Sequence, residues 1–170
     1  MHGILDANIF FVSCERVFNP SLENKPVIVL SNNDKCVVAR SNEAKAIGIK
    51  MCDPVSRLGH LIQKYDVVKF SSNYALYNDM SNRMISIAAS YVQDIKVESI
   101  DEAFLDFNGF NFFNLQEYGT KIVKAVTKGT GLPVSLGVAQ TRTLSKVAVR
   151  FAKKHTGYKG VCIIDSEKKG

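Results

Sequence analysis

Between Lys96 and Phe107, two runs of strand-forming residues, Lys96-Val-Glu-Ser-Ile100 and Ala103-Phe-Leu-Asp-Phe107, are separated only by Asp101 and Glu102. So short a link leaves one option: the strands, about 94–100 and 102–107, double back as an antiparallel hairpin. Ahead of it, Tyr77, Met80, Met84, Ile87, Ala88 and Tyr91 recur at steps of three and four, which predicts an amphipathic helix over Tyr74 to Tyr91. Behind it, a helix is predicted from Leu115 to Lys128, ending near Gly129, and then a strand from Pro133 to Ala139. With a short buried strand at 3–8, the order reads β-α-β-β-α-β. That is the split-βαβ pattern of ferredoxin-like folds, and the predicted class is α+β.

Residues from about 11 to 73 interrupt this order and are expected to form a small inserted α/β subdomain. The expected limits are 1–10 with 74–170 for the main body and 11–73 for the insertion. A helix is predicted from Phe10 to Phe18, stopping before Pro20. Pro26-Val-Ile-Val-Leu30 and Cys36-Val-Val-Ala-Arg40 flank the turn formers Ser31-Asn-Asn-Asp34, which predicts a second hairpin. Ser41 or Asn42 can cap a helix running through Ala46, with Gly48 at its C-terminal end. Beyond the core pattern lie a helix from about Thr141 to Lys154 and a last strand near Val161–Ile164.

A chain of 170 residues suits one domain carrying such an insertion, and its net charge of +6 draws polyanions only weakly. A solvated basic surface accounts for that charge better than a polyanion partner does. The four cysteines, at 14, 36, 52 and 162, form no Cys-x-x-Cys pair and share no ligand spacing with His2, His60 or His155. They read as reduced thiols used as small apolar residues. No leader is visible and no stretch approaches the roughly 20 apolar residues that span a bilayer, so a cytoplasmic location without a membrane is expected.

Asp6 sits in the apolar run Gly3-Ile-Leu-Asp-Ala-Asn-Ile-Phe-Phe11. A charge buried there is costly unless paired or bound to metal. In the predicted fold the first strand neighbours the hairpin, so Asp6, Asp101 and Glu102 can meet. Adjacent side chains on a regular strand diverge, so Asp101 and Glu102 converge only if the chain turns or bulges between them. Three crowded carboxylates repel, and a divalent cation relieves that repulsion. Oxygen ligands favour Mg²⁺ or Mn²⁺ over zinc. Two such ions about 3.5–4 Å apart bracket an in-line phosphoryl displacement. Singly, Asp6 also reads as a strand-end helix cap, and Asp101-Glu102 as an exposed acidic turn; Glu98 and Asp106 are further acids of the same hairpin.

On the helix near 141–154, Arg142, Lys146, Arg150 and Lys154 recur every four residues and are expected to form one basic face. Leu144, Val147, Ala148, Phe151 and Ala152 are expected to pack on the sheet. Lysine or arginine at the carboxylate edge would balance phosphate charge. A plain amphipathic helix with a wet basic face fits the same pattern.

Several segments together carry a resemblance. They are Asp6-Ala-Asn-Ile-Phe-Phe-Val-Ser-Cys-Glu15, Lys25-Pro-Val-Ile-Val-Leu-Ser-Asn-Asn-Asp34, Val38-Ala-Arg-Ser-Asn-Glu-Ala-Lys45, Gly48-Ile-Lys-Met-Cys-Asp-Pro54, Phe70-Ser-Ser-Asn-Tyr74, Ser99-Ile-Asp-Glu-Ala-Phe104 and Gly137-Val-Ala-Gln-Thr-Arg-Thr-Leu-Ser-Lys146. Over essentially the whole chain they resemble the N-terminal part of Y-family translesion DNA polymerases, in the UmuC-like branch. The resemblance implies a polymerase palm interrupted by a fingers subdomain, and template-directed synthesis across damaged DNA with two Mg²⁺ ions, Mn²⁺ being a possible substitute. It implies metal binding by Asp6, Asp101, Glu102 and the Ala7 carbonyl, with Phe11 as a steric gate against the ribose 2′-hydroxyl. Phe11 also reads as a core aromatic. Phe10, Asn42, Lys45 and Lys146 are implied at the nucleotide, and Arg142 and Arg150 at the DNA. Many family members carry Tyr and Arg where this chain has Asn42 and Lys45, and lysine lacks the bidentate fork of arginine. Lys35 stands where UmuC relatives usually have glycine, which bears on a turn.

Implied substrates are primer–template DNA and deoxynucleoside triphosphates. A UmuD-like subunit, a RecA-type filament and a sliding clamp are implied partners of a full-length relative. Such relatives continue into thumb and little-finger domains, so this chain is expected to be a palm/fingers fragment with weak DNA grip and feeble synthesis. Two other readings remain at this point. A palm-type nucleotide cyclase resembles Gly-Gly-Asp/Glu-Glu-Phe at the hairpin, where this chain has Ser-Ile-Asp-Glu-Ala-Phe. A non-catalytic nucleic-acid- or subunit-binding remnant is the other.

Overall fold

In the computed structural model, which describes residues 1–111 and 114–165, the chain runs through eight strands and six α-helices. In order these are β1 (His2–Ala7), α1 (Phe10–Phe18), β2 (Val27–Leu30), β3 (Val37–Arg40), α2 (Asn42–Ala46), α3 (Gly59–Tyr65), β4 (Val68–Ser71), α4 (Tyr74–Ala89), β5 (Ile95–Val97), β6 (Glu102–Asp106), α5 (Leu115–Thr130), β7 (Val134–Ala139), α6 (Arg142–Lys154) and β8 (Val161–Ile164). They divide into two compact units, Met1–Asn8 with Asn78–Gly170, and Ile9–Tyr77. The second unit thus takes in Ile9 and the first turn of α4.

The first unit is built on a sheet of order β5-β6-β1-β7-β8, antiparallel except for the parallel β7–β8 pair. The four strands of the split-βαβ pattern take its order, β5-β6-β1-β7, and β8 extends it. β1 is central and buried on both faces, which is why its sequence is almost uniformly apolar. α5 runs to Thr130, two residues beyond the expected Lys128, because Gly131 rather than Gly129 takes the left-handed C-cap, at φ 77°. Gly129 stays helical under the Ile87 side chain, which a Cβ there would meet at 2.4 Å.

α6 crosses the sheet at Gly137. A Cβ at that position would lie 2.2 Å from the Val149 nitrogen and 2.4 Å from the Ser145 carbonyl oxygen. The face of α6 that packs on the sheet corrects the sequence expectation. Ser145, Ala148, Val149 and Ala152 are buried, while Leu144, Val147 and Phe151 stand exposed at 40%, 39% and 44%. The helix lies so close to the sheet that small residues must line the contact, and the larger apolar side chains are turned outward.

The second unit has its own three-stranded sheet, order β3-β2-β4, with β2–β3 antiparallel and β2–β4 parallel. Its core joins Ile28, Leu30, Val37, Ala44, Ile49, Leu58 and Val67. Ser41 caps α2, its hydroxyl accepting from the N–H groups of Ala44 and Val27. In the β2–β3 connection Asp34 takes the left-handed conformation at φ 56°, and the Lys35 N–H donates to Ser31 Oγ and Asn33 Oδ1. Among the described residues no helix is long and apolar enough to cross a membrane, and all four cysteines are free thiols.

Candidate active site

In the first unit the sheet register brings the expected acids together. Asp6 on β1 pairs with Glu102 at the start of β6, so their side chains project from the same face of the sheet. The next residue, Ala7, donates its N–H to the Asp101 carbonyl at 3.0 Å, which sets the Asp101 peptide against the end of β1. The hairpin carries the irregularity that convergence requires. The N–H groups of Glu98 and Ser99, just beyond β5, both donate to the Glu102 carbonyl, at 3.0 and 3.1 Å, so the chain turns there. The Ser99 hydroxyl then donates to Asp101 Oδ1 at 2.6 Å.

Asp6 is only 7% exposed, and its carboxyl pKa is pushed up to about 6. Burial is the main cause; Lys153 opposes it through a hydrogen bond and its charge, and the carboxylates of Glu102 and Asp101 raise it further. Lys153 of α6 donates from Nζ to Asp6 Oδ1 in a short ion pair. The sequence pattern did not single out Lys153, yet a signal was there. It lies seven residues, two turns, after Lys146 and so on the same side of the helix.

The other basic residues of α6 have separate roles. Lys146 Nζ donates to Glu98 Oε1 at 3.3 Å and sits 5.5 Å from the centroid of the Phe104 ring, whose other neighbour is the Arg142 guanidinium at 5.1 Å. Arg150 is exposed to solvent. Lys146 and Arg142 are thus engaged at Glu98 and Phe104, and the lysine that pairs with Asp6 is Lys153.

The donor chemistry suits a hard divalent cation: oxygen atoms only, with a buried carboxylate whose acid neighbours disfavour its charge. With Asp6 turned onto Lys153 and Asp101 onto Ser99, no three His, Cys, Asp or Glu side chains converge on one ligand point among the described residues. The backbone has the acids side by side.

In the second unit α1 begins at Phe10 after Ile9, a left-handed residue at φ 42°. Phe10 is buried and Phe11 half-buried. The Phe11 ring stacks on Tyr77, with centroids 4.3 Å apart and planes 15° from parallel, while Tyr74 meets it edge-on at 6.0 Å. Tyr77 is fully buried, and its hydroxyl donates to Glu15 Oε1 at 2.9 Å. The sequence pattern read Tyr77 as one more apolar position of a helix, because spacing carries no information about a hydroxyl partner.

Asn42 and Lys45 are exposed on α2. That helix is tied down by Glu43, which accepts from Arg16 Nη2 at 3.0 Å, and Arg16 also donates to the carbonyls of Leu22 and Lys25.

Residues 5–150 match the family described as impB/mucB/samB. Protein ImpB of Salmonella typhimurium is 42% identical over 168 residues, which is 98% of this chain and 40% of that protein. Protein UmuC of the same species is 46% identical over 155 residues, 91% of this chain and 37% of that one. The chain thus spans about two fifths of the length of these curated relatives. Among solved structures, an insertion ternary complex of Dbh DNA polymerase superposes with a TM-score of 0.85 at 27% identity, over 98% of this chain and 49% of that one.

Proposed function

The chain belongs to the impB/mucB/samB family, and from that membership and the carboxylate geometry we propose that it is the palm and fingers portion of a translesion DNA polymerase, extending a primer on damaged template DNA. The observation that carries the reading is the cross-strand pairing of Asp6 with Glu102 and the Asp101 peptide bonded to Ala7. Asp6 and the adjacent pair Asp101 and Glu102, far apart in sequence, become neighbours at one end of two paired strands.

Asp6, Asp101, Glu102 and the Ala7 carbonyl are assigned as the metal-holding set. Two divalent ions, Mg²⁺ with Mn²⁺ as substitute, would supply charge neutralisation and a more acidic primer hydroxyl when bound. The primer 3′-hydroxyl would give up its proton to solvent as its oxygen forms a bond to the α-phosphorus of the deoxynucleoside triphosphate, the bond from that phosphorus to the bridging oxygen breaks, and pyrophosphate leaves. Lys153, released from Asp6, would balance phosphate charge, and Lys146 and Lys45 are assigned to the same nucleotide as further cationic contacts. Asn42 and Phe10 are assigned to its surroundings, and Phe11 to the sugar, where its ring excludes a 2′-hydroxyl. Arg142 and Arg150 are assigned to DNA phosphates. The setting is the bacterial cytoplasm. A UmuD-like subunit, a RecA-type filament and a sliding clamp are proposed partners of a full-length protein.

Primer extension by the natural full-length chain, native against Asp101→Asn, tests the assignment. Extension by the native protein in Mg²⁺ and none by the variant is expected. Equal extension by both would refute the assignment and favour a non-catalytic binding role.

A further inference from the structure

We infer that Glu15 is a positioning residue for sugar selection: it fixes Tyr77, and Tyr77 fixes the Phe11 ring. The inference rests on the proposed role of Phe11 at the sugar and adds to it the device that keeps the ring in place.

Phe11 and Glu15 are one turn apart on α1 and face the same way. Both reach the same side chain. The ring of Tyr77 lies flat against Phe11, and its hydroxyl, at the far end of that ring, donates to Glu15 Oε1. Two contacts at opposite ends leave the tyrosine little freedom to tilt about its Cα–Cβ bond. Tyr74 stands edge-on to both rings, and Phe10 lies 6.5 Å from Tyr77 at 64°, so the stack is also held at its sides. Burial first, and then the Glu15 hydrogen bond, push the Tyr77 hydroxyl pKa well up, so it remains a donor throughout the physiological range.

Stability alone does not call for this arrangement. A phenylalanine would fill the same fully buried space without a hydroxyl to desolvate, and replacing both partners of a buried pair by apolar groups is often close to neutral. What the pair adds is orientation. A gate acts by the position of its edge, and a misplacement on the order of 1 Å is enough to change what a site excludes.

The test compares kcat/KM for a deoxynucleotide and the matching ribonucleotide in the full-length chain. Glu15→Leu and Tyr77→Phe should each lower the discrimination ratio about tenfold, which corresponds to about 1.4 kcal/mol. The double variant should fall no further, because both changes break one contact. Glu15→Gln keeps an acceptor oxygen and should retain most of the ratio. If Glu15→Leu and Tyr77→Phe reduce both kcat/KM values equally and leave the ratio intact, the pair is merely structural and the inference fails. Phe11→Ala separates the two levels. If it collapses the ratio while the Glu15 and Tyr77 variants do not, only the inference falls. If Phe11→Ala itself leaves the ratio unchanged, the gate assignment falls and takes the inference with it.

Discussion

The two units hold their functional residues by opposite means. In the first, a carboxylate is buried against its own preference, next to two other acids, with one lysine as counter-ion. In the second, an aromatic stack is closed by a hydrogen bond that satisfies its only buried hydroxyl. The first site stores unfavourable electrostatics that a bound cation would relieve, whereas the second is a piece of well-packed core. Substitutions should therefore move stability in opposite directions. Removing a charge from the acid cluster should relax the fold while destroying chemistry, and removing bulk from the stack should weaken the fold.

The largest expected effect is on catalysis. Asp6→Asn should lower primer extension by at least about 10³-fold, roughly 4 kcal/mol of transition-state stabilisation. The same change should leave thermal stability at pH 7.5 unchanged or raise it, by about 1–3 kcal/mol, because a carboxylate whose charge is disfavoured mainly by its burial is gone. A large drop in melting temperature would show that the acid is structural and would erase the contrast. Next in size, Tyr77→Ala should destabilise the fold by about 3–5 kcal/mol through the cavity it leaves, as read by denaturant unfolding. A small change there would mean that the stack is looser than its 4.3 Å spacing implies.

The pH dependence sharpens the same contrast. The Asp6 pKa rises from 3.8 in the unfolded chain to about 6 when folded. An acid raised on folding contributes stability that is complete below the unfolded value and is lost as pH climbs through the folded one. This contribution should therefore fade between about pH 4 and pH 6, and Asp6→Asn should flatten that part of the profile. A cation must displace the same proton, so Mg²⁺ or Mn²⁺ binding should weaken about tenfold per pH unit below 6 and level off above it. Titration calorimetry at pH 5 and 7.5 measures this. Equal affinity at both would mean that Asp6 is not a ligand.

Much of this was legible in the sequence because it is periodic. The strand carrying Asp6, the hairpin carrying Asp101 and Glu102, and the helices on either side each announce themselves by apolar spacing, and α1 runs from Phe10 to Phe18 as expected. The failures come from geometry that spacing does not encode. On α6, steps of four residues drift by about 40° each, so Arg150 and Lys154 turn away, while Lys153 returns to the side of Arg142 and Lys146 at the other end of the helix and meets Asp6 there. The small residues at the contact, not the large apolar ones, mark the buried side, because Gly137 lets the helix approach closely. In the second unit, α3 and β4 were missed: β4 is only four residues long and pairs in parallel with a strand far back in the chain.

The smallest effect concerns the lysine that the stripe of basic residues concealed. Lys153 is partly exposed, and its pair with Asp6 Oδ1 competes with a cation for that carboxylate. Removing the ammonium abolishes both the competing hydrogen bond and the repulsion an incoming cation meets, so Lys153→Met should tighten Mn²⁺ binding at pH 7.5 by a few-fold, within about 1 kcal/mol, as read by electron paramagnetic resonance of free Mn²⁺. In the same variant, binding of a nucleotide triphosphate should weaken, because the charge assigned to its phosphates is missing. The two shifts have opposite sign, which general unfolding would not produce. If Mn²⁺ affinity falls instead, Lys153 orients Asp6 for the ion rather than competing with it, and the acid cluster is better prepared for its cation than its electrostatics suggest.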